Sequence, residues 1–435
     1  MTPNELAAAT AVDYDPFAGA PLTRLVPTTE PQREVWLASR LEPEASLAYN
    51  EAVSITLKGL LDVPALEWAL QAIVDRHEAL RATFSGDGEG LFVAGHTTLP
   101  IAFHDVSLLA PFESDARIMA AFSRIVTTPF DLEHGPLVRA ELFRLANDRH
   151  ILTIAAHHIV CDGWSFGVIV SDLAALYAQR TGQGKGPADA GAFSNFALAE
   201  AAHAGSETAR DDETYWLDRF AGPIPVLDLP TDRSRPRRRS FTSRREDRML
   251  DATDVTAIKR LGAAHGASLY ATLLTGFAVL LRRIAGQDDV VIGMPSAGQA
   301  AEGLDTMVGH CVNVLPLRTR IGETATFAQL LGTVRKDLLD AFDHQRYTLG
   351  SLLARLSIAR DPSRLPLVAV LFNLDAQLDE STVTFPGLRF DVEAVPRAYE
   401  NFELFVNAVQ VDGGLRLECQ YNADLFEAAT IQGWL

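Results

Sequence analysis

The sequence predicts an α/β protein built as two lobes. The chain has 435 residues, more than one ordinary hydrophobic core accommodates. Segments of helical and strand periodicity alternate along most of it. A glycine-rich stretch, "GQGKGPADAG" (Gly182–Gly191), interrupts that alternation and marks a linker. The expected lobes are residues 1–185 and 186–435.

The elements can be justified in order. "DVPALEWALQAIVDRHEALRATF" places Leu66, Leu70, Ile73, Val74 and Leu80 at helical spacing, and its Arg76–Phe84 portion predicts a helix end running into a strand. "GLFVAGH" and "LPIAFHDV" predict short strands. "RHILTIAAHHIV" predicts a buried strand, with β-branched side chains at Ile151, Thr153, Ile154, Ile159 and Val160. "SFGVIVSDLAALYAQRTGQG" predicts a helix. Ser165 is its candidate N-cap, Phe166, Ile169, Leu173 and Leu176 its apolar stripe, and the glycines after Thr181 its stop. A low-complexity stretch, "PTDRSRPRRRSFTSRRE", begins at Pro230. A helix–strand unit, a Gly-rich loop, the strand "HCVNVLPLRTRI" and more helix come next. "PLVAVLFNLD", "FELFVNAVQVD" and "GLRLECQYNAD" predict the last strands.

Composition excludes several functions. Hydrophobic residues are 48% and charged residues 22% of the chain, the balance of a soluble folded protein. The net charge of −18 opposes binding to nucleic acid or to an anionic membrane. Cys161, Cys311 and Cys419 are too few and too scattered for a disulfide framework. The N-terminus lacks the basic and apolar regions of a signal peptide, and no apolar run is long enough to span a bilayer. A cytoplasmic monomer is expected. The densest basic run, Arg233, Arg235, Arg237, Arg238 and Arg239, reads as a solvated loop, with a docking patch as the alternative.

The candidate chemistry lies in "HHIVCDG", His157 to Gly163. Neighbouring side chains on a strand point to opposite faces. One histidine can therefore face a cleft while the other turns inward. That geometry disfavours a metal site built on His157, His158, Cys161 and Asp162. A strand end, a sharp loop with Gly163 and a helix start form a common mount for active groups. Asp162 reads either as a second N-cap candidate or as the anchor of an ion pair. Gly163–Gly167, "GWSFG", also matches the G-x-S-x-G elbow of α/β-hydrolases. That reading makes Ser165 a nucleophile and needs a late histidine such as His310 or His344. It leaves the histidine pair and Asp162 unexplained.

"HHIVCDG" resembles the HHxxxDG signature of condensation domains from nonribosomal peptide synthetases. Six further segments agree in order. "TEPQREVWLAS" is similar to the opening family motif, with Pro31 and Val35 where Ala and Leu are usual. "RHEALRATF" closely resembles the second motif, and "FSNFALAEA" is a weak form of the fourth. "VGHCVNVLPLR" is similar to the fifth, with His310–Cys311 where a Phe is common. "HQRYTL" and "RDPSRLPLVAVLFN" are similar to the sixth and seventh. The resemblance implies two chloramphenicol acetyltransferase-like lobes in a V-shaped pseudo-dimer, with an inter-lobe tunnel and with C-lobe segments crossing back as a floor loop and a latch.

The resemblance also implies an acyltransferase with no bound cofactor and no metal. Its substrates arrive on phosphopantetheine arms. The implied partners are a donor acyl or peptidyl carrier protein and an acceptor carrier protein or free small molecule. His158 becomes the catalytic residue and His157 a structural one. Asp162 pairs with Arg81 to hold the loop, Gly163 lets the backbone approach the reacting centre, and Trp164, Ser165 and Asn313 line the tunnel. Asn313 reads equally well as a turn-stabilising amide. An amine acceptor would give an amide and a hydroxyl an ester, in nonribosomal peptide or hybrid polyketide–peptide biosynthesis. The alternatives are the serine hydrolase or thioesterase built on Gly163–Gly167 and a non-catalytic, carrier-binding relative.

Overall fold

A computed structural model describes residues 22–375 and 383–435. The chain divides into two compact units. The first holds the described residues of Met1–Ala204, Gln299–Cys311 and Leu378–Ala398; the second holds those of Gly205–Gly298, Val312–Gln377 and Tyr399–Leu435.

The first unit is organised by a five-stranded sheet. Its order is Arg389–Ala394, Asn50–Lys58, Arg149–His157, Val138–Ala146 and Ile101–Asp105. The central strand runs antiparallel to both neighbours, with Asn50 opposite His157. Period two decides which side chains go where. Leu152, Ile154 and Ala156 enter a core shared with helices Val63–Arg76 and Gly163–Arg180. Ile151 and Ala155 turn to the other face, where residues of the Pro111–Thr127 helix pack. Burial on both faces is why this strand reads as an unbroken apolar run rather than an alternation.

That strand ends at His157, three residues before the sequence predicts. Val160 N donates to the His157 carbonyl at 3.0 Å, so Ile159 and Val160 belong to a buried turn. The linker at Gly182–Gly191 does not separate the units either. Helix Phe193–His203 lies beyond it, yet Phe193, Phe196 and Ala197 are buried in the first core. Met307, Val308 and Cys311 join the same core from far downstream. Apolar burial thus moves the expected 185/186 boundary to Ala204 and returns two later segments to the first unit.

The second unit has a six-stranded sheet ordered Val312–Arg320, Asp289–Ala297, Val370–Asp375, Leu404–Val411, Gly414–Asn422 and Ser243–Leu250. Val370–Asp375 pairs parallel with both neighbours. Helices Leu269–Ala285 and Phe327–Asp343 bury Leu274, Ala278, Leu331 and Val334 in its core. The arginine run before the last edge strand is largely committed. Arg235 makes a two-pronged pair with Glu403 at 2.7 and 3.0 Å, Arg233 donates to the Ala423 and Phe426 carbonyls, and Arg239 stacks over Phe241. No single helix among the described residues is long and apolar enough to cross a membrane.

Candidate functional site

The two histidines occupy different environments. His157 closes the central strand and is fully buried, its ring Nδ1 accepting from Ile159 N at 3.2 Å. Burial, reinforced by the neighbouring His158, holds its pKa down to about 3. His157 is therefore a neutral wall residue at ordinary pH. His158 stands just beyond the strand, its backbone N donating to the Tyr49 carbonyl at 2.7 Å. Its ring is 18% exposed, with Nε2 at 3.5 Å from Glu51 Oε1 and Nδ1 at 3.0 Å from His310 Nδ1. Glu51 is itself buried and paired with Arg397. His310 meets His158 edge to face, and burial, followed by the two neighbouring histidines, pushes its pKa well below the usual value.

Asp162 fixes the loop without an arginine. It is the N-cap of the Gly163–Arg180 helix, with Oδ1 accepting from Ser165 N at 2.9 Å and from Ser165 Oγ at 2.7 Å. Its Oδ2 accepts from Gln299 Nε2 at 2.9 Å and Cys311 N at 3.1 Å. The expected Asp162–Arg81 pair is absent among the described residues. Arg81 donates instead to the Val74 carbonyl at 3.1 Å and to the Ala94 carbonyl, tying a helix end to the Gly90–Ala94 strand. Four neutral donors fill the acceptor sites of this buried carboxylate.

Ser165 is a support, not an exposed nucleophile. It is fully buried, its Oγ lies 2.9 Å from the Gly309 carbonyl, and it accepts from Gly309 N at 3.0 Å. Neither late histidine serves it: His310 faces His158, and His344 Nδ1 lies 2.7 Å from Asp212 Oδ1. This removes the geometry a hydrolase elbow requires, and it corrects the expectation that Ser165 lines a tunnel. Trp164 is 39% exposed and donates through Nε1 to the Asp305 carbonyl at 3.2 Å. Gly163 is exposed, with open space where a Cβ would stand. Asn313 lies in the second unit, its Nδ2 donating to the Gln345 and Tyr347 carbonyls at 2.9 and 2.8 Å and its Oδ1 accepting from Val314 N and Leu349 N. These four bonds make it a turn-stabilising amide.

Sequence reasoning missed Glu51, Gln299 and Arg397 as neighbours of the loop, because nothing local marks them. Gln32 could have been found: it sits in a quoted motif, completes a capping box with Thr29, and donates to the Ile159 carbonyl at 3.0 Å. Cys161 and Cys311 are buried beside the site, and burial pushes both thiols well above their ordinary pKa. Among the described residues no group of three or more His, Cys, Asp or Glu side chains is placed to hold a metal ion.

The model of the condensation-domain family matches residues 23–435. The chain belongs to that family. Surfactin synthase subunit 2 of Bacillus subtilis (strain 168) is 34% identical over 426 residues, covering 97% of this chain and 11% of that protein. Tyrocidine synthase 2 of Brevibacillus parabrevis is 34% identical over 415 residues, covering 93% of this chain and 11% of that one. This condensation domain therefore spans about a tenth of the length of these two curated relatives. Among solved structures, the X-domain from teicoplanin biosynthesis is 26% identical with a TM-score of 0.81, covering 98% of this chain and 94% of that one. The first condensation domain of the calcium-dependent antibiotic synthetase, in complex with a substrate analogue, shares the fold at a TM-score of 0.81 and 22% identity, covering 95% and 94% of the two chains.

Proposed function

We propose that this condensation domain joins an acyl thioester, presented on the phosphopantetheine arm of a donor carrier protein, to a nucleophilic acceptor. The acceptor is an amine on a second carrier protein or a free small molecule; a hydroxyl acceptor, giving an ester, is the second outcome. The observation that carries this reading is the contrast at one loop. His158 offers a partly exposed imidazole, whereas Ser165 is buried and occupied.

A thioester is already activated, so the step requires position and a proton acceptor more than an energy source. The acceptor nitrogen forms a bond to the carbonyl carbon and gives a proton to His158 Nε2. The tetrahedral intermediate collapses, the C–S bond breaks, and the departing pantetheine sulfur takes the proton back from the imidazolium. An imidazole suits both transfers near neutral pH. Glu51, at 3.5 Å from Nε2, favours the transient positive charge. The open backbone at Gly163 leaves room for its N–H to approach the developing oxyanion.

The test assays wild type, His158→Ala and Ser165→Ala separately with a carrier-bound acyl donor and paired acceptors differing only in amine or hydroxyl, read by intact mass. Loss of about 100-fold or more in His158→Ala alone supports condensation. Full turnover in His158→Ala refutes the role given to that residue. No turnover by the wild type with any acceptor favours a carrier-binding module.

A further inference from the structure

The contact between His158 Nδ1 and His310 Nδ1 joins residues 152 positions apart within the first unit, at 3.0 Å. A hydrogen bond between two imidazole nitrogens carries one proton, so one ring donates and the other accepts. We propose that His310 is the positioning residue for His158, its Nδ1 accepting the His158 Nδ1–H and reserving His158 Nε2 for the acceptor's proton. This deepens the function proposed above and rests on the role given there to His158.

When His158 carries the charge, the direction of the bond follows from burial and surroundings. His310 is 5% exposed, and burial is the first cause that disfavours its protonated form. His158 is more exposed and faces the Glu51 carboxylate on the Asn50–Lys58 strand, which is itself paired with Arg397. Other ionisable groups nearby are His157, buried and neutral, Asp162, whose oxygens are filled by Ser165, Gln299 and the backbone N of Cys311, and the Cys161 and Cys311 thiols, which burial keeps protonated. When Nε2 takes a proton, both nitrogens of His158 carry hydrogen, so Nδ1 can only donate, and His310 Nδ1 is the acceptor at hand. His310 itself gains and loses no proton. The edge-to-face packing, with interplanar angle 89° and centroids 4.8 Å apart, fixes the ring plane as well.

Gly309 and Asp162 hold His310 in place. A Cβ at position 309 would run into the Phe193 ring, and the next peptide N, that of Cys311, donates to Asp162. The Asp162 cap and the His158–His310 contact thus share one support.

The experiment compares wild type, His310→Phe, His310→Gln and His158→Ala, using 15N spectra of the histidine side chains together with steady-state kinetics on a carrier-bound acyl donor. In the wild type, neutral His158 should carry its proton on Nδ1. In His310→Phe that proton should move to Nε2, with kcat falling about 10- to 100-fold and KM unchanged. His310→Gln, whose side-chain oxygen can accept, should restore kcat to within about fivefold of wild type. A wild-type His158 protonated on Nε2 alone, or a His310→Phe variant with wild-type kcat, overturns the proposal. Full activity in His158→Ala would instead refute the underlying functional reading, whatever the tautomer.

Discussion

Asp162 Oδ2 and Gln299 Nε2 lie 2.9 Å apart, joining the histidine loop to a segment 137 residues downstream. The same carboxylate caps a helix and receives Ser165 Oγ and Cys311 N. Asp162→Ala would leave several of these buried donors without an acceptor. It should cost about 3–5 kcal/mol of stability. Arg81 plays no part in this network, so a double-mutant cycle with Arg81→Ala should be additive to within about 0.5 kcal/mol. Coupling of about 2 kcal/mol in denaturant titrations would restore the ion pair as the loop's anchor.

Ser165→Ala tests the support role from the other side. Gly309 N loses its acceptor, so stability should fall by about 1–3 kcal/mol. A serine-directed covalent probe should leave the folded wild type unlabelled, because the hydroxyl is fully buried. Labelling at Ser165 in the intact mass would revive the hydrolase reading.

His157 should make the fold acid-sensitive. Its pKa in the folded chain is held to about 3, against an ordinary 6.5. Below 6.5 the unfolded chain binds a proton that the folded chain refuses. This contribution to stability is full above pH 6.5 and is lost progressively as pH falls towards 3, by about 2 kcal/mol at pH 5. Buried His310 acts in the same direction. Denaturation midpoints at pH 7.5 and 5.0 should therefore converge more in His157→Gln than in wild type. An unchanged pH slope would show that the ring takes up its proton in the folded state.

Asn313→Ala should loosen one loop in the second unit. The amide ties the carbonyls of Gln345 and Tyr347 to the strand Val312–Arg320. Hydrogen exchange should accelerate about tenfold at residues 345–349, corresponding to about 1.4 kcal/mol of local stability. Unchanged protection there would show that the loop is held by other contacts.

The strands buried on both faces, the capped helices and the histidine loop were legible because they depend on local pattern. The edge strand Ser243–Leu250 was not. Its "SRREDRML" begins inside the low-complexity stretch that starts at Pro230, and an edge protected by charge leaves few apolar positions to count. Asp162 was visible as an N-cap candidate, but Gln299 and Cys311 were not visible as its partners, because no periodicity spans 137 residues. In the sequence His310 stands out as part of His310–Cys311 where a Phe is common and as a late histidine for the hydrolase reading, not as a partner of His158. Its contact with His158 depends on the course of a segment whose place in the first unit is set by Gly309 against Phe193.

Cys161 and Cys311 flank the histidine pair, and burial keeps both as thiols rather than thiolates. On the function proposed here, that matters for fidelity. A thiolate beside a bound thioester would compete with the intended acceptor by thiol exchange and leave the acyl group stranded on the protein. Sealing both sulfurs in the core suppresses that self-acylation and leaves the incoming acceptor without a rival from the protein's own thiols.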